Sequence, residues 1–188
     1  MTGRPVCLPT QFCGGDAGVW RVTSLRVLSG APLAPVDRLE VVESGGAIPA
    51  ASRWVLRGVT SYERYVTRVE RAALSARQEG LGRPRATCAA LIPVAKSAAW
   101  WNLTQDERRD IFETRSGHIR TGLEYLPAVA RRLYHGRELG EAFDFLTWFE
   151  FAPGDAAAFD ELVGRLRASE EWTFVGREVE VRLEREGA

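Results

Sequence analysis

The alternation of strand-like and helix-like segments limits the fold of this chain more than any other feature of its sequence. Short β-branched or apolar runs that predict strands lie at 19–28, 39–42, 54–59, 87–94, 143–151 and 177–183. Helical patterns lie between them, at 61–77, 104–116, 118–134 and 155–167. Two successive units of strands and helices, without a glycine-rich dinucleotide loop, predict an α+β fold. Two ferredoxin-like halves are the simplest arrangement, and another open-faced α+β sheet is the alternative.

Prolines and glycines mark the boundaries within this pattern. They are concentrated in residues 1–16, which we therefore interpret as an irregular N-terminal arm. Residues 17–95 form the predicted first half, and residues 96–188 form the second. Within the second half, Pro127 interrupts the helical stretch 118–134, because proline lacks the N–H that a continuous helix needs.

The overall composition excludes several classes of protein. Lysine and arginine together number 25, as do aspartate and glutamate, so the formal net charge is zero and a nucleic-acid partner is not indicated. No apolar run approaches the roughly 20 residues that cross a bilayer. The N-terminal segment lacks the pattern of a signal peptide, and three cysteines are too few for a disulfide scaffold, so we expect a cytoplasmic location without membrane attachment.

The first of the two histidines, His118, has surroundings that suit a flat cofactor. Gly117 and Gly122 leave space beside the backbone, and Ile119 is apolar. An iron-bound macrocycle needs both a nitrogen ligand and small neighbours that let the ring approach. The alternative is a half-buried helix histidine whose hydrogen bonds are satisfied within the protein. The second histidine, His135, follows the same helical pattern and is interpreted as an exposed residue at a helix end.

Two arginines, Arg131 and Arg132, follow an apolar run and are candidates for binding a small anion. The rigid guanidinium donates five N–H groups, which suit an oxyanion. On a straight helix Arg131 would lie roughly 20 Å from His118, at 1.5 Å per residue. A break at Pro127 is therefore needed to bring the two side chains to opposite faces of one ring. The alternative is a pair of surface arginines on an amphipathic helix.

Three separated motifs in the second half agree in order and spacing with a known family. They are WWNLTQDERRDIFETRSGHIRTGLEYLPAVARRL, FDFLTWFEF and SEEW. Together they resemble the small, two-subunit branch of the chlorite dismutase family, which contains haem b enzymes. The resemblance covers about residues 54–186 and is strongest over 86–183. It implies two ferredoxin-like halves with antiparallel sheets flanked by helices, as in dimeric α/β-barrels, with the first half shortened, and it implies a homodimer.

The resemblance also implies roles for individual residues around the haem. The iron ligand would be His118, and Arg131, thirteen positions later, would lie on the opposite face, with Arg132 as the alternative. An acid that accepts a hydrogen bond from the ligand would be Glu171, or else Glu170. The remaining expected contacts are Lys96, Trp100 and Tyr65 near the haem propionates and Gln78 as a second donor to the bound oxyanion.

The activity that the resemblance implies is the decomposition of chlorite to chloride and dioxygen. The resemblance implies that haem would supply the oxygen-transfer chemistry and the formation of the O–O bond, while Arg131 would retain the hypochlorite-like fragment. One alternative is a coproheme decarboxylase, which shares the fold, although in that relative a glutamine typically replaces the arginine. The other is a haem carrier or sensor without turnover.

Overall fold

The computed structural model describes residues 9–43, 45–60 and 65–186. The eight strands are β1 (Thr10–Gly15), β2 (Trp20–Ser29), β3 (Arg38–Val42), β4 (Trp54–Gly58), β5 (Cys88–Lys96), β6 (Ala130–His135), β7 (Phe145–Phe151) and β8 (Val175–Arg185). The five α-helices are α1 (Arg68–Arg77), α2 (Ala98–Asn102), α3 (Gln105–Arg109), α4 (His118–Glu124) and α5 (Ala156–Arg167). A π-helical turn, Asp110–Arg115, joins α3 to α4, and short 3₁₀ turns cover Arg137–Leu139, Pro153–Asp155 and Glu170–Phe174.

All eight strands belong to one sheet, in the order β4-β1-β3-β2-β8-β5-β7-β6, and every neighbouring pair is antiparallel. The two outer strands also approach each other. Val59, just after β4, forms an isolated bridge with His135 at the end of β6. The sheet is therefore a nearly closed barrel, and this closure removes most of the unpaired edge that an open sheet would expose.

The strand order explains how two ferredoxin-like halves make this sheet. The strands of the second half lie in the sheet in the order β8-β5-β7-β6. Along the chain they alternate with helices, in the order β5, α2–α4, β6, β7, α5 and β8. The first four strands repeat the same interleaved order as β4-β1-β3-β2, but no described residue between β1 and β4 is helical. The two halves join where β2 pairs with β8. The α+β, ferredoxin-like fold predicted from sequence is confirmed.

The strands bury side chains on both faces because successive residues point to opposite sides. In β5, Ala89 and Leu91 contribute to the core inside the barrel, beside Phe12 and Trp148. The residues of β5 that point the other way, such as Ala90 and Ile92, belong to a second core outside the barrel. The helix α5 covers this core with Phe159, Leu162 and Val163. This outer layer is where the helices of the second half leave room for a ligand.

Two sequence predictions are wrong in this architecture. The irregular arm predicted for residues 1–16 contains a regular strand, since residues 10–15 form β1 between β3 and β4. The helical stretch predicted over 118–134 ends at Glu124, and its last part is the strand β6. Pairing with β7 determines that conformation.

The other predicted elements differ from the structure mainly at their ends. The helix predicted over 61–77 begins at Arg68, capped by Thr67; residues 61–64, which the prediction assigned to it, lie outside the described residues. The helix predicted over 104–116 is α3 followed by the π-helical turn. Among the described residues, no helix is long and apolar enough to cross a membrane. The division at residue 95 into two domains stays a prediction.

Candidate functional site

A cavity of about 610 Å³ lies between the outer face of the sheet and the helices α1, α4 and α5. Its wall is largely apolar, with contributions from Ile92, Phe149 and Leu162. Polar and charged side chains also line it, and they include His118 and Arg131. A mostly apolar cavity with a few convergent polar groups is the usual form of a small-molecule or cofactor site.

The chain places His118 at this cavity as the first residue of α4. Gly117 precedes it with φ of +62°, a left-handed conformation that turns the chain sharply from the π-helical turn into α4. The carboxylate of Glu113 accepts hydrogen bonds from the amides of Ile119 (2.6 Å) and Arg120 (3.2 Å), so it caps the new helix. These contacts fix the backbone from which the imidazole projects.

The imidazole of His118 is held on one side by Glu171. The distance between Nδ1 and Oε2 of Glu171 is 2.6 Å. The backbone N–H of Glu171 donates to Oγ of Ser116 at 2.9 Å, which ties the acid to the turn before α4. The ring of Phe112 stacks on the imidazole with centroids 4.4 Å apart. Because Nδ1 is engaged, Nε2 is the nitrogen that remains for a ligand.

The carboxyl group of Glu171 is ionised at neutral pH. Burial alone would raise its pKa, but the attraction of His118 and Lys96 and their hydrogen bonds outweigh burial and lower the pKa to about 2. A permanent carboxylate accepts a hydrogen bond from the Nδ1–H group and makes the imidazole a more basic ligand. Glu170, the alternative acid, is exposed and forms an ion pair with Arg115 instead.

Lys96 forms a buried ion pair with Glu171. Its ammonium, with the side chain only 3% exposed, donates to Oε1 of Glu171 at 2.8 Å. This ammonium thus contacts the acid behind His118, and its contact with a haem propionate stays a prediction. Trp100 is buried beside this ammonium, which lies 4.7 Å from its ring centroid. The indole N–H of Trp100 has no hydrogen-bond acceptor in the described part of the chain.

Tyr65 lies at the edge of the same cluster and does not line the cavity. Its ring packs edge-on against Trp100, with centroids 6.2 Å apart, and also contacts Phe112. Its hydroxyl accepts a hydrogen bond from Arg108 at 3.2 Å. Tyr65 therefore supports the aromatic wall next to His118.

Arg131 reaches the cavity from β6. Its Nη1 donates to the backbone oxygen of Gly122 at 2.9 Å, one helical turn beyond His118. Burial lowers the pKa of Arg131 to about 10, so the guanidinium stays charged at neutral pH. Arg132, the alternative, also touches the cavity wall, but its side chain is 44% exposed and lies 3.9 Å from Glu43. The strand geometry thus half-buries one arginine and exposes the next.

Gln78 links Arg131 to the end of α1. Its side-chain N–H donates to the backbone oxygen of Arg131 at 2.9 Å, and the residue lines the cavity. As the structure stands, the amide stabilises the strand that carries the arginine. Of the predicted residues, His118, Arg131 and Gln78 line the cavity, whereas Glu171, Lys96, Trp100 and Tyr65 form the layer behind His118.

The sequence interpretation of His135 is wrong. His135 is buried, lines the cavity, and lies edge-on to Phe145 with ring centroids 5.4 Å apart. Residues 131, 133 and 135 alternate along β6, so all three reach the cavity. Recognition of β6 as a strand would have predicted this position, because residues two apart share a face.

The chain is similar in sequence and in fold to known proteins. A family model described as chlorite dismutase matches residues 44–184. The dimeric chlorite dismutase of Nitrobacter winogradskyi is 56% identical in sequence, with a TM-score of 0.87 over 94% of this chain and 99% of that one. The chlorite dismutase of Candidatus Nitrospira defluvii in complex with imidazole is 20% identical, with a TM-score of 0.67 over 96% of this chain and 92% of that one, and it shares the fold.

A curated chlorite dismutase from Ideonella dechloratans is 42% identical over 73 residues. The matched segment makes up 39% of this chain and 24% of that protein. The chain thus spans about a quarter of the length of the curated relative that it matches.

Proposed function

This chain belongs to the chlorite dismutase family, and from that premise we propose that it decomposes chlorite to chloride and dioxygen with a haem b bound at His118. One observation carries the proposal. The imidazole of His118, held at Nδ1 by the ionised Glu171, lines the same largely apolar cavity as the half-buried guanidinium of Arg131. A nitrogen ligand and an anion-binding group therefore meet at one site.

The side chains of the cavity suit haem. The apolar wall matches the surface of a macrocycle, and a neutral imidazole with a carboxylate behind it is a usual haem ligand. The buried N–H of Trp100 lacks an acceptor among the described residues, and a propionate oxygen would provide one. When bound, the haem iron would supply the redox chemistry, in which an oxygen atom leaves chlorite and is returned to form dioxygen.

Arg131 would bind and orient the anion. Chlorite is a monoanion at neutral pH, and loss of one oxygen atom leaves the hypochlorite anion, so a charged guanidinium in an apolar cavity attracts both. The hypochlorite fragment must stay in the cavity for dioxygen to form. If it stays, its oxygen is available for the O–O bond; if it escapes, it oxidises the haem and the neighbouring aromatic side chains.

The first experiment measures oxygen release. The purified protein is reconstituted with haem b and mixed with chlorite, while an electrode records dissolved oxygen and a spectrophotometer follows the Soret band. We expect about one dioxygen per chlorite, as the balanced reaction requires. Bound haem without oxygen release would reject the proposed activity and favour a carrier, a sensor or a coproheme decarboxylase.

Two variants test the assigned residues separately. We expect His118→Ala to lose the ferric haem spectrum of the parent, since the iron ligand is gone. Arg131→Ala should retain haem, lose about 10²-fold in kcat/KM and release hypochlorous acid that a chlorination trap detects. A parental spectrum for the first variant, or unchanged turnover without trapped acid for the second, would contradict the corresponding role.

We also propose that the chain forms a homodimer. The support is its 56% identity to the dimeric chlorite dismutase of Nitrobacter winogradskyi over nearly the whole of both chains. Sedimentation equilibrium of the purified protein should give twice the mass of 20.9 kDa. A single-chain mass at micromolar concentration would contradict this proposal.

A further inference from the structure

The ammonium of Lys96 is enclosed on several sides. Lys96 is the only lysine in the chain, and it is almost fully buried. It donates to Oε1 of Glu171 at 2.8 Å and to the backbone oxygen of the same residue at 3.2 Å. Two indole rings flank it: the ring centroids of Trp100 and Trp172 lie 4.7 Å and 5.4 Å from Nζ. Each ring attracts the cation through its electron-rich face.

Trp172 is itself held from the far side by a buried charged pair. Its indole N–H donates to Oε2 of Glu178 at 2.8 Å, and Glu178 is 2% exposed. The other oxygen of Glu178 accepts two hydrogen bonds from Arg167, at 2.8 Å and 2.6 Å. Arg167 also donates to the fully buried Glu180 at 2.7 Å, so the pair is anchored to β8 at two points.

We propose that Trp172 is a positioning residue for the iron ligand: clamped by Glu178 and Arg167, its ring holds the ammonium of Lys96 against Glu171 and thereby fixes His118. This inference deepens the proposed function and rests on His118 as the haem ligand. Trp172 and Glu178 both line the cavity, but the residue acts through Lys96 rather than on the substrate. A carboxylate on the indole N–H also enriches the ring in electrons, which strengthens its attraction for the cation.

The first test needs no haem, because the chain has a single lysine. In ¹⁵N-labelled protein the side-chain ammonium of Lys96 gives one resonance, which Lys96→Met identifies by its loss. We expect a sharp signal with slow hydrogen exchange in the parent protein. Trp172→Phe should accelerate that exchange about tenfold, and Glu178→Gln about threefold, because each weakens the enclosure of the ammonium.

Matched controls are available elsewhere in the fold. Trp148 donates its indole N–H to the buried Glu150 at 2.9 Å, inside the barrel and away from Lys96. Trp148→Phe and Glu150→Gln therefore remove the same kind of hydrogen bond and should leave the exchange of the Lys96 ammonium unchanged. Equal acceleration in these controls would indicate general loosening and would overturn the specific role of Trp172.

The second test uses the haem-loaded protein and reads the ligand bond directly. A changed contact between Lys96 and Glu171 alters the hydrogen bond at Nδ1 of His118, so the iron–histidine stretching frequency and the ferric/ferrous midpoint potential should both shift in Trp172→Phe. Parental values of both quantities, or a fast-exchanging ammonium in the parent protein, would overturn the inference. If the parent protein binds no haem, the proposed function fails, while the ammonium experiment still decides whether Trp172 positions Lys96.

Discussion

At the scale of single residues, the site depends on how closely Arg131 packs against α4. Gly122 has no side chain, and a Cβ added there would lie 2.3 Å from Nη2 of Arg131. The guanidinium therefore occupies the space that any other residue at position 122 would fill. In sequence, Gly122 was interpreted as room for a flat cofactor; in the structure it is room for the arginine.

We expect Gly122→Ala to displace the guanidinium of Arg131, and so to weaken retention of the anion without preventing haem binding. Haem affinity should stay within a few-fold of the parent, while the oxygen yield per haem before inactivation falls about tenfold, as expected when a charged donor is misplaced. The measurement is total oxygen released at excess chlorite. A parental yield would show that Arg131 adjusts without loss.

Gly164→Ala in α5 is the matched control. A Cβ at Gly164 meets no atom within 4 Å. Alanine should therefore only increase helix propensity, raising the free energy of unfolding by about 0.5–1 kcal/mol, with unchanged oxygen yield.

The candidate site was only partly predictable from single residues. The types and spacing of His118, Arg131 and Glu171 predicted a haem site by family resemblance; in the structure Glu171 contacts His118, and Arg131 lines the same cavity as His118. The position of Lys96 was not predictable, because a sequence does not show which carboxylate a buried ammonium meets. His135 was misjudged for the same reason, since its burial depends on a strand pairing that is distant in sequence.

At the scale of elements, the sequence patterns identified most strands and helices and failed where contacts between distant segments decide the backbone. The strand β6 follows an apolar run that suits a helix, and only its pairing with β7 shows that it is extended. The strand β1 was hidden by Gly14 and Gly15, which normally indicate a loop. These glycines are instead sites of close approach, since Cβ atoms there would lie 2.2 Å from the ring of Trp54 and 2.6 Å from the backbone oxygen of Ala51.

The role of Gly14 in β1 leads to a prediction about stability. Gly14→Ala should lower the free energy of unfolding by about 1–3 kcal/mol, because the added methyl group must push the Trp54 ring out of place. Urea denaturation measures the change. Gly154→Ala, where a Cβ meets nothing within 4 Å, should be nearly neutral. Equal stability of the two variants would contradict the packing argument.

At the scale of the whole molecule, the pairing of β2 with β8 joins the two ferredoxin-like halves. Arg26 on β2 lies opposite Glu180 on β8 and donates to its carboxylate at 2.6 Å. Arg182 and Arg167 donate to the same carboxylate, each at 2.7 Å. Burial alone would raise the pKa of Glu180, but these three arginines lower it to about 2.

This network predicts how the stability of the molecule changes in acid. The pKa of Glu180 is lower in the folded chain than the ordinary value of 4.5, so its ion pairs stabilise the fold fully above that value and lose their effect as the pH falls towards 2. Glu180→Gln should be less stable than the parent at pH 7, and the two curves should converge below pH 4. Urea denaturation of the haem-free proteins from pH 7 to 2.5 provides the test.

The control for this series is Glu184→Gln. Glu184 lies on the same strand and forms an exposed ion pair with Arg21. Exposed ion pairs contribute little to the free energy of unfolding, so the stability of this variant should equal that of the parent at every pH. An equal loss of stability in both variants would mean that the β2–β8 junction responds to net charge rather than to the buried carboxylate.

The burial of the only lysine has a practical consequence for handling the protein. Every exposed cationic side chain in the described structure is an arginine, and arginine does not react with the activated esters and aldehydes that modify primary amines. In the native fold Lys96 is shielded from such reagents, so modification of Lys96 proceeds only through molecules that have opened. The yield of acylated Lys96 over time therefore measures how fast the part of the fold around Lys96 opens, and mass spectrometry can follow it without any engineered label.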